Sequence, residues 1–194
     1  MIPTIKDKTW VEVSKSALLH NVGVFRNNIG KNVKIAAVVK ANAYGHGLKE
    51  TVSLLKNKID VFAVDNIDEA ILIRQMDGSV PILVLGYITL SNLSFPIEND
   101  ISFVVYNIDT LKRIVSLKSG KPAKIHLKIE TGLNRQGIRR SEILPFLKFI
   151  KEHKNYFLLE GVSTHFANIE DTLSPEFAKK QLNEFKKAIL IIKE

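Results

Sequence analysis

The chain has no cysteine, which excludes disulfides, thiolate metal sites and cysteine nucleophiles together. That absence fits a reducing compartment. Long apolar runs are missing too: no stretch approaches the roughly 20 residues needed to span a bilayer. Residues 1–10 contain no apolar segment of signal-peptide length. We therefore expect a cytoplasmic protein with no membrane attachment. Acidic residues are scarce beside basic ones, 20 against 28, for a formal charge of +8. Such an excess invites a nucleic-acid partner. Yet the lysines are scattered, as at Lys148, Lys151 and Lys154. No basic run is interleaved with aromatics, as a single-strand binder requires. A solvated lysine-rich surface, with no nucleic acid bound, is the expectation. No metal site is expected either, because His20, His126 and His153 share no ligand spacing.

What is present is an alternation of strand-like and helical periodicities. Residues 9–13 are a short strand candidate. Ser14 then caps a helix carrying Leu18, Val22, Phe25 and Ile29 at helical spacing. Further strand candidates lie at 33–40, 61–64, 81–86, 101–106, 123–129 and 158–166. Between them run helical patterns: Leu48, Val52 and Leu55; a capping-box-like Asn66 and Glu69; and helices opening at Asp109 and Ser141. The last helix begins with Ser174-Pro175-Glu176, with Pro175 at its first position and Leu182, Phe185, Ile189 and Ile192 as its apolar stripe. Strands alternating with helices argue for a parallel sheet with helical crossovers. A doubly wound sheet and a (β/α)₈ barrel both satisfy that pattern. Barrel sites lie at the C-terminal ends of strands, and the polar residues Lys40, Lys128, Arg135 and His165 fall at or just past such ends. The expected fold is thus α/β, a TIM-type (β/α) barrel with parallel strands and outer helices. Six strand–helix units come after the opening pair, where a full barrel has eight, so we expect an incomplete barrel. With no linker inside it, residues 1–194 are expected to form one domain, the front portion of something larger.

The most informative segment is Val38-Val39-Lys40-Ala41-Asn42-Ala43-Tyr44-Gly45-His46-Gly47. An apolar run ends in a lysine, and a polar turn with two glycines leads to a helix at Leu48. A lysine at a buried strand end is costly unless its amine has a task. Burial also favours the neutral amine that Schiff-base chemistry requires. Farther on, residues 123–130 alternate strictly: Ile125, Leu127 and Ile129 share one face, and Lys124, His126, Lys128 and Glu130 the other. In a parallel barrel that polar face points inward, where charges pair or act. A loop with two glycines then presents Arg135, and the strand ending Thr164-His165-Phe166-Ala167 offers one histidine.

The lysine segment resembles the pyridoxal-phosphate attachment site of alanine racemases. The stretch from Lys128 through Thr131-Gly132 to Arg135-Gln136-Gly137 and the Thr-His-Phe-Ala run resemble two further segments of that family. The resemblance implies that Lys40 holds pyridoxal 5'-phosphate as an internal aldimine and serves as an acid–base group. It further implies that Tyr44 bonds the cofactor phosphate and that His165 packs on the pyridine ring. Arg135 would hold the substrate carboxylate bidentately and contact the cofactor's phenolic oxygen. Lys128 falls where some members carry a carbamylated lysine that braces the arginine. Glu130 replaces the usual aspartate, and Gln136 a common leucine. His46 is expected to be structural. By the same resemblance the protein is an alanine racemase that supplies D-alanine for peptidoglycan precursors, its substrate is a small amino acid, and it forms a homodimer. The family's C-terminal β domain, which supplies the opposite-face tyrosine base in the partner subunit, falls outside these residues, so either a companion polypeptide or a poorly soluble, inactive fragment is expected. Three rivals stand beside this reading: a single-domain pyridoxal-phosphate homeostasis protein, a barrel decarboxylase or aldolase, and an inactive remnant.

Overall fold

The computed structural model describes residues 8–170 and 173–193. Among the described residues six strands succeed one another in chain order, and the pairings of the first with the second and of the third through the sixth in succession are parallel. By internal packing the chain divides into two compact units, Met1–Ile82 and Leu83–Glu194.

The first unit contains α1 (Lys15–Ile29), β1 (Ala36–Val38), α2 (Lys40–Tyr44), α3 (Leu48–Leu55), β2 (Val61–Val64) and α4 (Ile67–Met76). β1 pairs with β2, Ala36 opposite Val61 and Val38 opposite Ala63. Its core is built from Leu48, Val52 and Leu55 of α3, Phe62 and Val64 of β2, and Ala70 and Ile73 of α4, all buried. The α3 stripe is thus the one expected.

Three expectations fail in this unit. Residues 9–13 form no strand, and Trp10 and Val11 are exposed; β-propensity needs a pairing edge to become structure. Within β1 no residue is buried, and only the adjoining Val39 is; β1 stands first in the strand order, with β2 as its partner. The α1 helix is capped by Ser14 as expected, its Oγ accepting from Ala17 N–H, but it buries none of its residues. Leu18 and Val22 are half-buried, whereas Phe25 is 63% exposed and Ile29 also faces out.

A polar pin sets that rotation. Arg26 donates to Asp60 Oδ2 at 2.7 Å and to the Val33 carbonyl at 2.6 Å. The same Asp60 oxygen accepts from Ile35 N–H at 2.7 Å. One carboxylate therefore fastens α1 and the entry to β1 onto the start of β2.

The second unit takes over within β3 (Ile82–Val84) and adds α5 (Ser94–Glu98), β4 (Ser102–Val105), α6 (Ile108–Leu117), β5 (Ala123–Lys128), α7 (Ile143–Glu152), β6 (Phe157–Ser163) and α8 (Glu176–Lys193). Asn107 caps α6, accepting from Thr110 N–H at 2.8 Å. β5 alternates as expected: Ala123, Ile125 and Leu127 are buried, and Lys124, His126 and Lys128 are half-buried. On its polar face Lys124 pairs with Asp100 at 2.6 Å, and the His126 imidazole stands 3.9 Å from the Glu160 carboxylate. Burial lowers the His126 pKa despite the opposing carboxylate.

The α8 stripe faces inward only in part: Phe185, Ile189 and Ile192 are half-buried, Leu182 is 40% exposed, and Ala178, Gln181 and Ala188 are the buried residues. Two alanines let the helix approach closely, and the Gln181 amide finds hydrogen-bond partners in the interior. Pro175 precedes the helix instead of opening it: its carbonyl accepts from Lys179 N–H. Among the described residues, no helix is long and apolar enough to cross a membrane.

The Asp60 pin generates a prediction. The Ile35 amide, and after it Arg26, hold the Asp60 carboxyl below its ordinary value. The unfolded chain therefore takes up that proton first as pH falls. The stabilisation is complete above about pH 4 and is lost as pH drops through the lower folded value. Asp60→Ala should cost about 1 kcal/mol at pH 7, discounted for solvent screening. Urea midpoints of variant and wild type should differ at neutral pH and converge in acid.

Candidate functional site

In the first unit, β1 ends at Val38, and the chain turns through buried Val39 into Lys40. The turn beyond it is helical in hydrogen-bond pattern but of the opposite hand. Ala41, Asn42, Ala43 and Tyr44 have φ of 52° to 55°. Each such residue costs roughly 1–2 kcal/mol because Cβ crowds the next carbonyl, so the turn persists only where its surroundings over-determine it. Several bonds do so. Ala43 N–H donates to the Val39 carbonyl, Gly45 N–H to Ala41 and Asn42, and Gly47 N–H to Asn42. Asn42 Oδ1 accepts from Leu48 N–H at 2.8 Å and so starts α3. His46 bonds the Ala43 carbonyl through Nδ1 at 2.9 Å, in keeping with a structural part. Gly45 and Gly47, at φ of 87° and 89°, release the chain into the right-handed helix.

This left-handed turn presents two of the expected residues together. Lys40 is about one-third exposed, with its Nζ 4.0 Å from Asp65 Oδ1 beyond the end of β2. Tyr44 is 60% exposed on the same turn.

The second unit assembles the others at the ends of β5 and β6. Lys128 closes β5 and is half-buried; burial, then the charge of Arg135, lowers its amine pKa, with Glu130 opposing. Burial alone would raise the Glu130 carboxyl, but the backbone amides of Asn134, Gly132, Arg135 and Leu133 outweigh it and hold the group below its ordinary value. The loop thus winds around an anion of its own chain, Gly132 N–H bonding Glu130 Oε1. Its two ends are zipped by Glu130 N–H to the Ile138 carbonyl and Ile138 N–H to the Lys128 carbonyl. Arg135 projects from this brace and is exposed. Gln136 reaches back to Tyr106 Oη at 3.4 Å.

Thr164, at the end of β6, donates to the Ile129 carbonyl at 3.0 Å and meets Thr131 Oγ1 at 2.7 Å. Next to it stands His165, exposed. Gln181 of α8, wholly buried, accepts from Ala167 N–H at 2.9 Å and donates to the His165 carbonyl at 3.1 Å and to Thr131 Oγ1 at 3.3 Å. One amide therefore ties the His165 segment to the Arg135 loop. Sequence reasoning missed Gln181 and Tyr106: a glutamine inside an amphipathic helix and a tyrosine past a strand carry no motif. No group of three or more metal-ligating side chains occurs among the described residues.

The sequence model of the family described as "Alanine racemase, N-terminal domain" matches residues 13–194. The chain belongs to that family. The "Alanine racemase 2" of Oceanobacillus iheyensis is 39% identical over 185 residues, which is 93% of this chain and 46% of the relative. The alanine racemase of Leptospira interrogans serovar Lai is 35% identical, over 95% of this chain and 47% of its own length. The crystal structure of alanine racemase from Bacillus anthracis with bound L-Ala-P superposes with a TM-score of 0.90 at 34% identity, covering 98% of this chain and 50% of that one. The alanine racemase of Clostridium difficile 630 gives the same score and identity, with 53% of its chain covered. The chain spans about half the length of the curated relatives it matches. Its parallel β/α architecture is the N-terminal barrel architecture of these racemases, represented here by six strands.

Gly137 provides a test of the Arg135 loop. It sits at φ +148°, and a Cβ there would lie 2.5 Å from Glu130 N and 2.8 Å from Ile129 C, both backbone atoms. Gly137→Ala should therefore destabilise by about 3 kcal/mol, lowering the urea midpoint. Amide exchange across residues 130–138 should rise as the zip opens.

Proposed function

We propose that this chain is the pyridoxal-phosphate-binding part of an alanine racemase, interconverting L- and D-alanine and supplying D-alanine for cell-wall precursors in the cytoplasm. The observation that carries the reading is Lys40. Its amine stands accessible at a strand end, on a rigid turn shared with Tyr44, within a chain of the alanine racemase family.

The side chains fit the cofactor by their chemistry. The first unit offers a primary amine for covalent attachment and an exposed phenol suited to a phosphate oxygen. The second offers an exposed guanidinium on a braced loop and an imidazole at the end of β6. Pyridoxal phosphate, when bound, accepts electron density from the substrate and so acidifies its α-proton. Lys40 Nζ would be the group that takes this proton from Cα on one face and returns it. Arg135 would hold the substrate carboxylate in the planar fork of its guanidinium. Lys128, whose amine burial already disfavours as a cation, supports Arg135 from the end of β5; a neutral amine there is also the form that carbamylation needs. By the family resemblance, His165 would pack on the pyridine ring and Tyr44 would hold the phosphate.

Racemisation needs a second acid–base group on the opposite face of Cα. The resemblance assigns it to a tyrosine of the C-terminal β domain of a homodimer partner, a segment that a companion polypeptide would otherwise supply.

Two outcomes test the proposal. Incubation with pyridoxal phosphate, borohydride reduction and peptide mapping should place the label on Lys40. Lys40→Ala should abolish the near-visible absorbance while changing stability little. A label found elsewhere with Lys40 untouched overturns the assignment. The 194 residues by themselves should not racemise L-alanine at a useful rate in deuterated water, because a missing acid–base group is worth about 10²- to 10⁴-fold. Robust turnover by the purified chain would contradict the need for the opposite-face base.

A further inference from the structure

Glu69 is the residue expected to complete a capping box on α4, its side chain reaching back to the N–H of Asn66. It does something else. Asn66 caps the helix as expected, Oδ1 accepting from Glu69 N–H at 2.9 Å. The Glu69 carboxylate instead spreads over two other segments: Oε1 accepts from Asn42 N–H at 3.1 Å and Oε2 from Asp65 N–H at 3.2 Å. Asn42 is the second residue of the left-handed run, and Asp65 is the carboxylate 4.0 Å from Lys40 Nζ. Both oxygens of one side chain are thus committed to the backbone on either side of the lysine.

The Asn42 side chain is engaged elsewhere, on Leu48 N–H, so within the turn the Asn42 amide is left for an outside acceptor. A backbone held at positive φ in four consecutive non-glycine residues tends to relax to the right-handed region unless anchored from outside. Of the bonds that hold this turn, most join residues 39–48 to one another. The Glu69 bond comes from a different element.

We infer that Glu69 is a positioning residue for Lys40. Its carboxylate anchors the left-handed turn through Asn42 and the Asp65 segment through its own amide, which fixes where the lysine amine stands. The inference rests on the reading of Lys40 as the attachment residue, and it deepens that reading by naming what orients the amine.

The experiment compares wild type, Glu69→Ala and Asn66→Ala in the full chain. Asn66→Ala removes the cap of the same helix without touching the turn, so it reports the purely structural effect. Three quantities are read: amide exchange over residues 40–47, the rate at which a trace amine-acylating reagent labels Lys40, and the pyridoxal phosphate concentration for half-maximal borohydride-fixed labelling of Lys40. In Glu69→Ala, exchange over 40–47 should accelerate about fivefold and half-maximal labelling should need about fivefold more cofactor, the change expected when the turn loses one hydrogen bond. The acylation rate of Lys40 should change as well. Asn66→Ala should lower thermal stability and leave all three readings at wild-type values.

If Glu69→Ala matches Asn66→Ala in exchange and in Lys40 reactivity, Glu69 is only part of the helix terminus and the inference is overturned. Faster exchange with unchanged Lys40 reactivity overturns it too, since the turn would then loosen without moving the amine. If wild type takes no label from pyridoxal phosphate at Lys40, the attachment reading fails, and exchange with acylation still decides the role of Glu69.

Discussion

A parallel strand cannot return to its neighbour through a tight turn; at its C-terminal end it must hand the chain to a crossover. The pairings β1–β2, β3–β4, β4–β5 and β5–β6 are parallel, so this requirement recurs along the chain. At each handover the ladder stops, and backbone N–H groups lose their strand partners before a helix can take them. Those groups need acceptors. Lys40, Arg135 and His165 all lie in such handovers, after β1, β5 and β6. The residues with chemistry to offer thus occupy the segments whose backbone is hardest to satisfy.

The protein meets that need with side chains from within the same unit. In the first, Asn42 and Glu69 take the amides of Leu48, Asn42 and Asp65. In the second, Glu130 gathers the amides of residues 132–135, and Gln181 takes the Ala167 amide while donating to the His165 carbonyl. A carboxylate that is partly removed from water costs free energy, and several N–H donors offset it. The result is loops whose shape is dictated by fixed acceptors, which lets a partly exposed lysine or an exposed arginine stand in a defined place. Such precision is what a site needs when misplacement of about 1 Å can cost 10²-fold in rate.

Much of this was legible beforehand, and the failures have a common origin. The strands at 61–64 and 123–129 and the helices opening at Asn66 and at Asp109 stood out because apolar period and cap residues agree there. Lys40 and Arg135 stood out because whole segments, not single residues, carry their resemblance. What misled was apolar spacing taken without its partner surface. Phe25 and Ile29 fit a helical stripe as well as Leu18 and Val22 do, yet the bond from Arg26 to Asp60 turns them outward. Leu182 fits the α8 stripe, yet the interior there needs an amide, and Gln181 takes the place. The apolar run at β1 was expected to be buried, but burial depends on what covers a strand, and Val38 is 41% exposed.

The sequence by itself determined the alternation of strands and helices, the parallel sheet and the identity of the residues on the strand-end loops, because these depend on local period, caps and glycine placement. Only the tertiary structure decided the hand of the turn at Lys40, the rotation of α1, and the employment of Glu69, Glu130 and Gln181. Each of those depends on which backbone amides are left without partners once strands and helices have formed. No local pattern records that, since an acceptor's partner lies as far off as residue 42 from residue 69, or 181 from 167.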